Sequence, residues 1–288
     1  MISWQKLLPT LASRSSAFSK IYSNDNNIMK FQQIRGATVV VTFGSKTFLI
    51  DPFFADKGST PSIPSPYNNL PNPLVTLPVS VKELVSVDAV IVTRMHHFDH
   101  FDEAARDAIP KDKPMFTQNE GEAEDMRQHG FKNVTALKDN GVPFDGVTLF
   151  RTDAAHGLGE ASDKNYKAFG LPADASGVVF KHPDEKTLYI AGDTVWYKGV
   201  EDAIAQHQPG IIVLNAALAA FPDETPILMG TDGLYEVSKA APTAAIIASH
   251  LDAVNHARIG REEMGHFIKE KKITERVYIP KDGEIMSF

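Results

Sequence analysis

The feature that most constrains the fold is a short apolar run that ends in a cluster of polar side chains. Residues 89–92 have the composition of a buried strand, and the loop after them holds three histidines and two aspartates between His96 and Asp102. Imidazoles and carboxylates are the ligands that zinc and similar cations prefer in proteins. In α/β folds, binding groups collect on loops just past strand ends. The stretch therefore predicts a buried strand that delivers metal ligands, with a solvated polar loop as the alternative.

The composition of the chain limits the residues that could bind a metal and the partners that the protein could bind. The chain has 288 residues and no cysteine, so disulfides are excluded and any metal must be held by His, Asp or Glu. A net charge of −7 argues against a nucleic-acid partner, because phosphate binding requires clustered Lys and Arg. No apolar run has the length of a membrane span, so we predict no transmembrane segment and a cytoplasmic location.

The first 28 residues differ from the rest of the chain. Their charged side chains before Asp25 are all basic, serine is frequent, and the apolar residues between Trp4 and Leu11 fall at helical spacing. Two interpretations remain open. Residues 1–28 form either an accessory helix, which could also mediate a homo-oligomer, or a mitochondrial-type presequence. Residues 29–288 are predicted to form the folded domain.

From residue 29 onward, short strand-type runs alternate with helical stretches, the pattern of an α/β domain. Several of the predicted strands end at a candidate ligand. The strand at 147–152 leads into His156, the strand at 187–190 into Asp193, and the strand at 244–248 into His250. Because the ends of neighbouring strands meet at one edge of a sheet, a single rim could collect these side chains with those of the 96–102 loop.

A long proline-rich loop occupies residues 56–78. Such loops are uncommon inside compact domains unless they form lids or binding surfaces, although a disordered insertion is the alternative. Tyr67 and Asn69 in this loop, and Trp196 just after Asp193, are therefore candidates to line a substrate pocket. Aromatic side chains at such places are as often packing residues.

In their order along the chain, these elements resemble the metallo-β-lactamase superfamily, and most closely its branch that includes the ascorbate-6-phosphate lactonase-like enzymes. The resemblance covers residues 29–288. It is carried by Leu49–Pro52, the His97-x-Asp99-His100-x-Asp102 motif, His156–Gly157, Gly192–Thr194 and Ser249–His250. It implies a four-layered αββα sandwich with metals at the edge between two sheets. It also implies a hydrolase that uses a metal-bound hydroxide to cleave a small ester, lactone, amide or phosphoester.

The resemblance further implies two divalent metal ions, zinc as the first choice and manganese as the alternative, and a role for each candidate residue. The first metal would be held by His97 and His156, the second by Asp99, His100 and His250, with Asp193 as the bridge and Asp51 as a brace behind the ligands. Asp99 would also orient the hydroxide, and His256 would protonate a leaving group or bind the oxyanion.

One position departs from the family pattern, which is His-x-His-x-Asp-His. Counting back from His100 puts Met95 at the first ligand position, as though one residue had been inserted beside Arg94. A thioether is a poor ligand for zinc or manganese, so either His96 takes this place or the first metal has fewer protein ligands. We expect a weakly occupied first site. The alternative functions are a catalytically weakened metal-binding relative and an iron-dependent oxidoreductase of the same fold.

Overall fold

The computed structural model of the protein describes residues 28–288. The prediction for the N-terminal segment therefore lies outside the described residues, except for Ile28. The first half of the described chain consists of β1 (Lys30–Arg35), β2 (Thr38–Phe43), β3 (Lys46–Ile50), α1 (Val81–Leu84), β4 (Ala89–Val92), α2 (Glu103–Ala108), β5 (Met115–Thr117), α3 (Glu120–Gln128) and β6 (Val134–Ala136). The second half consists of β7 (Val142–Phe144), β8 (Val147–Asp153), α4 (Gly159–Phe169), β9 (Ser176–Lys181), β10 (Leu188–Ile190), α5 (Lys198–His207), β11 (Ile211–Asn215), α6 (Thr231–Ala240), β12 (Ala245–Ser249), α7 (Arg261–Glu270), β13 (Val277–Tyr278) and β14 (Ile285–Ser287).

The strands form two mixed sheets of seven strands each. The first has the order β14-β1-β2-β3-β4-β5-β6 and the second has the order β13-β12-β11-β10-β9-β8-β7. In the first sheet β14 to β3 pair antiparallel and β3 to β6 pair parallel. The second sheet is antiparallel from β7 to β10 and parallel from β10 to β13. Each half of the chain thus builds one sheet, apart from the C-terminal strand β14, which pairs with β1.

The two sheets pack face to face on a shared apolar core. Alternate residues of β2, namely Val39, Val41 and Phe43, point into it, as expected for a strand with one face buried. Phe48 of β3 meets Phe180 of β9 across the interface, with ring centroids 5.2 Å apart. Each fully buried side chain of this size stabilises the fold by about 1.5–3 kcal/mol relative to exposure.

Helices cover the outer face of each sheet. Ala123 and Met126 of α3 belong to the core outside the first sheet, whereas Val200 and Ile204 of α5 belong to the core outside the second. The result is the αββα sandwich that the resemblance to the metallo-β-lactamase superfamily implies. Among residues 28–288, no helix has both the length and the apolar character needed to cross a membrane.

The direction of the strands decides where the polar side chains meet. Strands β3 and β4 are parallel, and β8, β10, β11 and β12 of the second sheet also share one direction. The carboxyl ends of each set therefore lie at one edge of their sheet. The loops that leave these ends carry Asp51, the 93–102 segment, His156, Asp193 and His250.

Candidate metal centre

The structure brings the predicted ligands together at this shared edge, and several of them sit on unusual backbone. Asp51 and His250 have positive φ angles of 48° and 66°. Such conformations cost non-glycine residues about 1–3 kcal/mol and persist where surrounding contacts hold them. Gly192 also has a positive φ of 67°, and a Cβ there would lie 2.3 Å from the carbonyl oxygen of Ser176. A glycine is therefore required for the turn that delivers Asp193.

Three side chains form a compact group that fits a divalent cation. Asp99, His100 and His250 each offer a ligand atom, and these atoms all lie within 4.8 Å of one another. All three side chains are buried, yet neither ring nitrogen of His250 has a hydrogen-bond partner among the described residues. An unpartnered buried polar atom costs about 1–3 kcal/mol. Two imidazoles and one carboxylate that converge in this way have the donor chemistry of a zinc or manganese site.

The orientation of His100 is set from behind by Asp51. The Asp51 carboxylate accepts hydrogen bonds from the backbone N–H and the hydroxyl of Thr93, both at 2.7 Å. Its Oδ2 also lies 2.9 Å from Nδ1 of His100, which directs the other ring nitrogen, Nε2, towards Asp193. Burial alone would lower the pKa of His100, but the Asp193 and Asp51 carboxylates raise it well above the ordinary value. This is the arrangement by which outer carboxylates fix metal-binding imidazoles.

Asp193 lies between two groups of histidines. Its Oδ1 accepts a hydrogen bond of 2.8 Å from the side-chain amide of Asn215. Its Oδ2 lies 2.9 Å from Nε2 of His100 and 3.4 Å from Nε2 of His156. Burial would raise the pKa of Asp193, but His100 and its neighbours hold it well below the usual range. The carboxylate therefore lies between the two ligand sets, and its role as a bridge stays an implication of the resemblance.

The guanidinium of Arg94 occupies the space between His97, His156 and Asp193. Its Nη2 lies 2.6 Å from Nε2 of His97, its Nη1 lies 3.3 Å from Oδ2 of Asp193, and Nη1 also contacts Nδ1 of His156. Arg94 is buried. Burial and this guanidinium lower the pKa of His97 to about 3 and hold that of His156 well below its ordinary value. Both imidazoles are therefore neutral and accept hydrogen bonds from the arginine.

Neither of the two residues after Arg94 points into this group. The side chain of Met95 is buried in the core beneath the helices of the first sheet, and its backbone N–H donates to Glu122. His96 is exposed, and its Nε2 lies 3.7 Å from a carboxylate oxygen of Asp125. The structure thus places His96 at the surface and not at the ligand position for which the sequence made it a candidate.

His256 is buried beside the ligands. Its Nε2 lies 3.9 Å from Oδ2 of Asp99, and its Nδ1 has no hydrogen-bond partner among the described residues. Burial lowers the pKa of His256 to about 4, so the imidazole is neutral near pH 7. The side chain also lines the cavity that opens above the ligands.

This cavity has a volume of about 790 Å³ and is mainly apolar. The imidazoles of His97, His156 and His256 reach it, so it joins the surface to the candidate metal centre. The cavity is also lined by aromatic and aliphatic side chains that the sequence did not identify, namely Phe98, Tyr166, Phe169, Leu171, Phe221 and Ile227, and the hydroxyl of Tyr166 contacts Nδ1 of His156. The three predicted pocket residues, Tyr67, Asn69 and Trp196, are not among its lining within the described chain, and Trp196 packs against the core outside the second sheet.

The long proline-rich loop forms one wall of the cavity through residues 59–64. Asn255, which is fully buried, fixes it in place. The side-chain oxygen of Asn255 accepts hydrogen bonds from the backbone N–H of Ile63 and from the amide of Asn72, at 3.0 and 2.7 Å. Its side-chain nitrogen donates to the carbonyl oxygens of Ile63 and Asn68. The loop is thus an ordered wall of the cavity and not a disordered insertion.

Comparison with known proteins assigns the family. No family model matches the chain. The UPF0173 protein YddR of Bacillus subtilis is 46% identical over 262 residues, which cover 90% of this chain and 100% of YddR. The chain belongs to the UPF0173 family. A second member, the UPF0173 metal-dependent hydrolase Ta0764 of Thermoplasma acidophilum, is 25% identical over 76% of this chain and 82% of its own length. This UPF0173 chain is therefore a metal-dependent hydrolase.

Solved structures agree with this assignment. The isothiocyanate hydrolase from Delia radicum gut bacteria is 44% identical, with a TM-score of 0.85 over 90% of this chain and 99% of that one. A possible metal-dependent hydrolase from Veillonella parvula is 38% identical, with a TM-score of 0.86 over 91% and 100% of the two chains. The metallo-β-lactamase fold protein YhfI of Bacillus subtilis is 12% identical, with a TM-score of 0.58 over 90% and 99%, and shows the shared fold alone.

The UPF0173 assignment refines the expectations from the sequence. The metallo-β-lactamase fold and the class of metal-dependent hydrolase are confirmed. The narrower ascorbate-6-phosphate lactonase-like branch is not supported by these relatives and stays a prediction. The alternative of a catalytically weakened relative is not favoured, because two UPF0173 relatives and the 44% identical solved structure are named as hydrolases.

Proposed function

We propose that this chain hydrolyses small, uncharged and apolar isothiocyanates. The observation that carries the proposal is the apolar cavity that leads from the surface to the buried ligands Asp99, His100 and His250. Similarity to the isothiocyanate hydrolase from Delia radicum gut bacteria supports the same substrate class. An isothiocyanate combines an apolar substituent with a compact electrophilic carbon, and the cavity offers an apolar wall beside polar groups that can act on such a carbon.

The charges around the cavity favour a neutral substrate. Three carboxylates, of Asp56, Asp102 and Glu103, contribute to its lining, whereas Arg106 is the one Lys or Arg among the described residues that line it. An anionic substrate would meet a net negative field at the entrance. This disfavours the phosphoesters among the substrates that the sequence suggests. Esters, lactones and amides share the electrophilic carbon of an isothiocyanate and are the relevant comparison substrates.

The proposed reaction converts R–N=C=S and water into the amine R–NH₂ and carbonyl sulfide. The oxygen of water forms a bond to the central carbon, the carbon–nitrogen bond breaks, and both protons of water end on the nitrogen. A divalent cation held by Asp99, His100 and His250 supplies Lewis acidity and makes water nucleophilic near neutral pH. We propose zinc for this place, with manganese as the alternative.

The residues around the cavity have distinct roles in this reaction. The carboxylate of Asp99 orients the attacking water while it also serves as a ligand. His256 lies beside Asp99 and lines the cavity, so its ring N–H donates a hydrogen bond to the substrate nitrogen where negative charge develops. Phe98 and Phe221 on the walls exclude bulk water from the reacting carbon, which strengthens these polar contacts. A cytoplasmic location and a homo-oligomeric state belong to the same proposal.

The test is hydrolysis of benzyl isothiocyanate by the purified full-length chain, measured through the release of benzylamine and carbonyl sulfide. We expect turnover that is lost after metal chelation and restored by zinc or manganese. Replacement of Asp99 by Asn should abolish it, whereas replacement of the exposed His266 by Gln should leave it unchanged. Nitrophenyl acetate and a small lactone are assayed in parallel. Hydrolysis of these two without turnover of the isothiocyanate by the metal-loaded protein would refute the proposed substrate class.

A further inference from the structure

The position of the first metal in the family pattern is filled in this structure by a side chain. His97, His156 and Asp193, which the resemblance assigns to this metal, surround the guanidinium of Arg94. We propose that Arg94 takes the place of the first metal, so that the chain holds a single divalent ion, at Asp99, His100 and His250. This inference concerns the number of ions, and it is independent of the substrate.

The surroundings of Arg94 satisfy the hydrogen-bonding capacity of its guanidinium. Arginine has five N–H donors in a fixed planar fork. Three contacts go to the side chains of His97, His156 and Asp193, as described above. The other two go to backbone carbonyl oxygens after α4, from Nε to Asp174 at 3.1 Å and from Nη2 to Pro172 at 3.3 Å. Each donor therefore has an acceptor, which is what a buried guanidinium requires.

A metal ion cannot share this position with the guanidinium. Nε2 of His97 accepts a hydrogen bond from Arg94, and Nδ1 of His156 contacts both Arg94 and the hydroxyl of Tyr166, so neither nitrogen has a lone pair left for a cation. A divalent cation would also lie beside a buried positive charge in a region of low dielectric constant. In addition, the usual third ligand is absent, because Met95 stands at that position and its side chain packs in the outer core. The residues present thus do not fit a first metal.

The second position differs at Asp99 and His250, whereas Nε2 of His100 lies 2.9 Å from Oδ2 of Asp193. None of the described arginine or lysine side chains contacts Asp99 or His250. Both ring nitrogens of His250 are buried and have no hydrogen-bond partner within residues 28–288, although Nε2 lies 3.5 Å from Oδ2 of Asp99, so the group still has a place for a cation. The structure therefore contains one set of ligands in which His250 has no hydrogen-bond partner among the described residues, and one set whose side chains the arginine contacts.

The arginine also accounts for the charge of Asp193. In a two-metal site two cations neutralise the bridging carboxylate, whereas here Nη1 of Arg94 and Nε2 of His100 both lie close to Oδ2 of Asp193, at 3.3 and 2.9 Å. Since every donor of Arg94 is engaged, the guanidinium has none left for a substrate. Arg94 is thus a positioning residue that fixes Asp193, His97 and His156.

The experiment counts bound metal in the full-length protein. The chain is stripped with a chelator, loaded with excess zinc, freed of loosely held ions and weighed by native mass spectrometry, and cobalt absorption spectra give a second readout. We expect one tightly held ion per chain in the wild type and two in Arg94→Ala, because removal of the guanidinium releases His97, His156 and Asp193. Arg94→Lys, which keeps the charge, and Arg258→Ala, at an exposed arginine elsewhere, should each hold one.

The metal counts test the single-ion proposal separately from the proposed isothiocyanate hydrolysis. Two tightly held ions in the wild type would overturn the inference and leave isothiocyanate hydrolysis in place. A single ion in a folded Arg94→Ala variant would also overturn it, because the guanidinium would then not be what excludes the metal. If Arg94→Ala does not fold, the count in the wild type decides alone. A wild type that holds no ion would overturn both proposals, whereas one ion without turnover of isothiocyanates would contradict only the substrate.

Discussion

Nδ1 of His100 lies 2.9 Å from Oδ2 of Asp51, on the side of the imidazole that faces away from the ligand group. This contact determines which ring nitrogen remains for a cation. Because Asp51 is itself held by Thr93 and both side chains are buried, the imidazole has a single orientation available. The geometry of the metal centre therefore depends on a residue that does not bind the metal.

Replacement of Asp51 by Ala should weaken zinc binding about 10- to 100-fold, the range typical for the loss of an outer carboxylate partner. The reason is that the His100 ring loses both its fixed orientation and the basicity that the carboxylate gives it. Competition with a chromophoric chelator measures the affinity, and circular dichroism verifies folding. Asp107→Asn, at an exposed carboxylate on α2, is the matched control. Equal zinc affinities for the two variants would show that Asp51 does not orient the ligand.

A charge placed at the mouth of the cavity tests whether the apolar wall there contacts the substrate. Leu171 lines the cavity and is 42% exposed, so a charge placed there will disturb the fold little. Leu171→Asp should raise the KM for an apolar isothiocyanate about 3- to 10-fold, which corresponds to roughly 1 kcal/mol of lost apolar contact. The control is Leu70→Asp, at a leucine that is 56% exposed and lies outside the cavity. Steady-state kinetics that give the same KM for both variants would exclude this wall from the substrate site.

We predict that the free energy of unfolding depends on pH through His207, which lies at the end of α5 and away from the metal centre. Burial, together with the nearby Lys181, lowers the pKa of His207 below its ordinary value of 6.5. The folded state thus favours the neutral imidazole. The stability that this residue contributes is present above pH 6.5 and is lost as the pH falls through that value towards the folded-state pKa.

We therefore expect the free energy of unfolding to fall between pH 7.5 and pH 5, and to fall less in His207→Gln, which does not titrate. Urea unfolding of the metal-free protein at the two pH values measures the difference. His129→Gln, at an exposed histidine, should keep the wild-type dependence. An identical pH dependence in His207→Gln and the wild type would mean that this histidine titrates alike in the folded and unfolded states.

The apolar runs that end at turns predicted an α/β domain, and the resemblance to the metallo-β-lactamase superfamily implied its four layers. The prediction from the sequence missed α4, whose residues Gly159–Phe169 are mostly polar and lie between glycines. Ser162 and Tyr166 are its buried positions, four residues apart, and this one-turn spacing was the available signal. The strands β7 and β14 were missed because three half-exposed residues at a sheet edge leave little periodicity.

The sequence identified the site residues that follow strand ends. It did not reveal the contacts between segments that are far apart in the chain. His156 and His250 follow apolar runs, so their convergence could be expected. The cavity wall depends on Asn255, which holds a segment nearly two hundred residues earlier in the chain, and no local pattern reveals such a contact. The place of Arg94 is also a tertiary property, because the inserted residue was visible in the sequence but the direction of its side chain was not.

We propose above that Asp99, His100 and His250 hold the divalent ion on which hydrolysis depends. The most direct measurement compares His250→Ala with His266→Ala for zinc content and for turnover of benzyl isothiocyanate in the same preparations. We predict that the first variant folds but retains neither zinc nor activity, and that the second retains both. Zinc content and turnover at the wild-type level in His250→Ala would contradict the account.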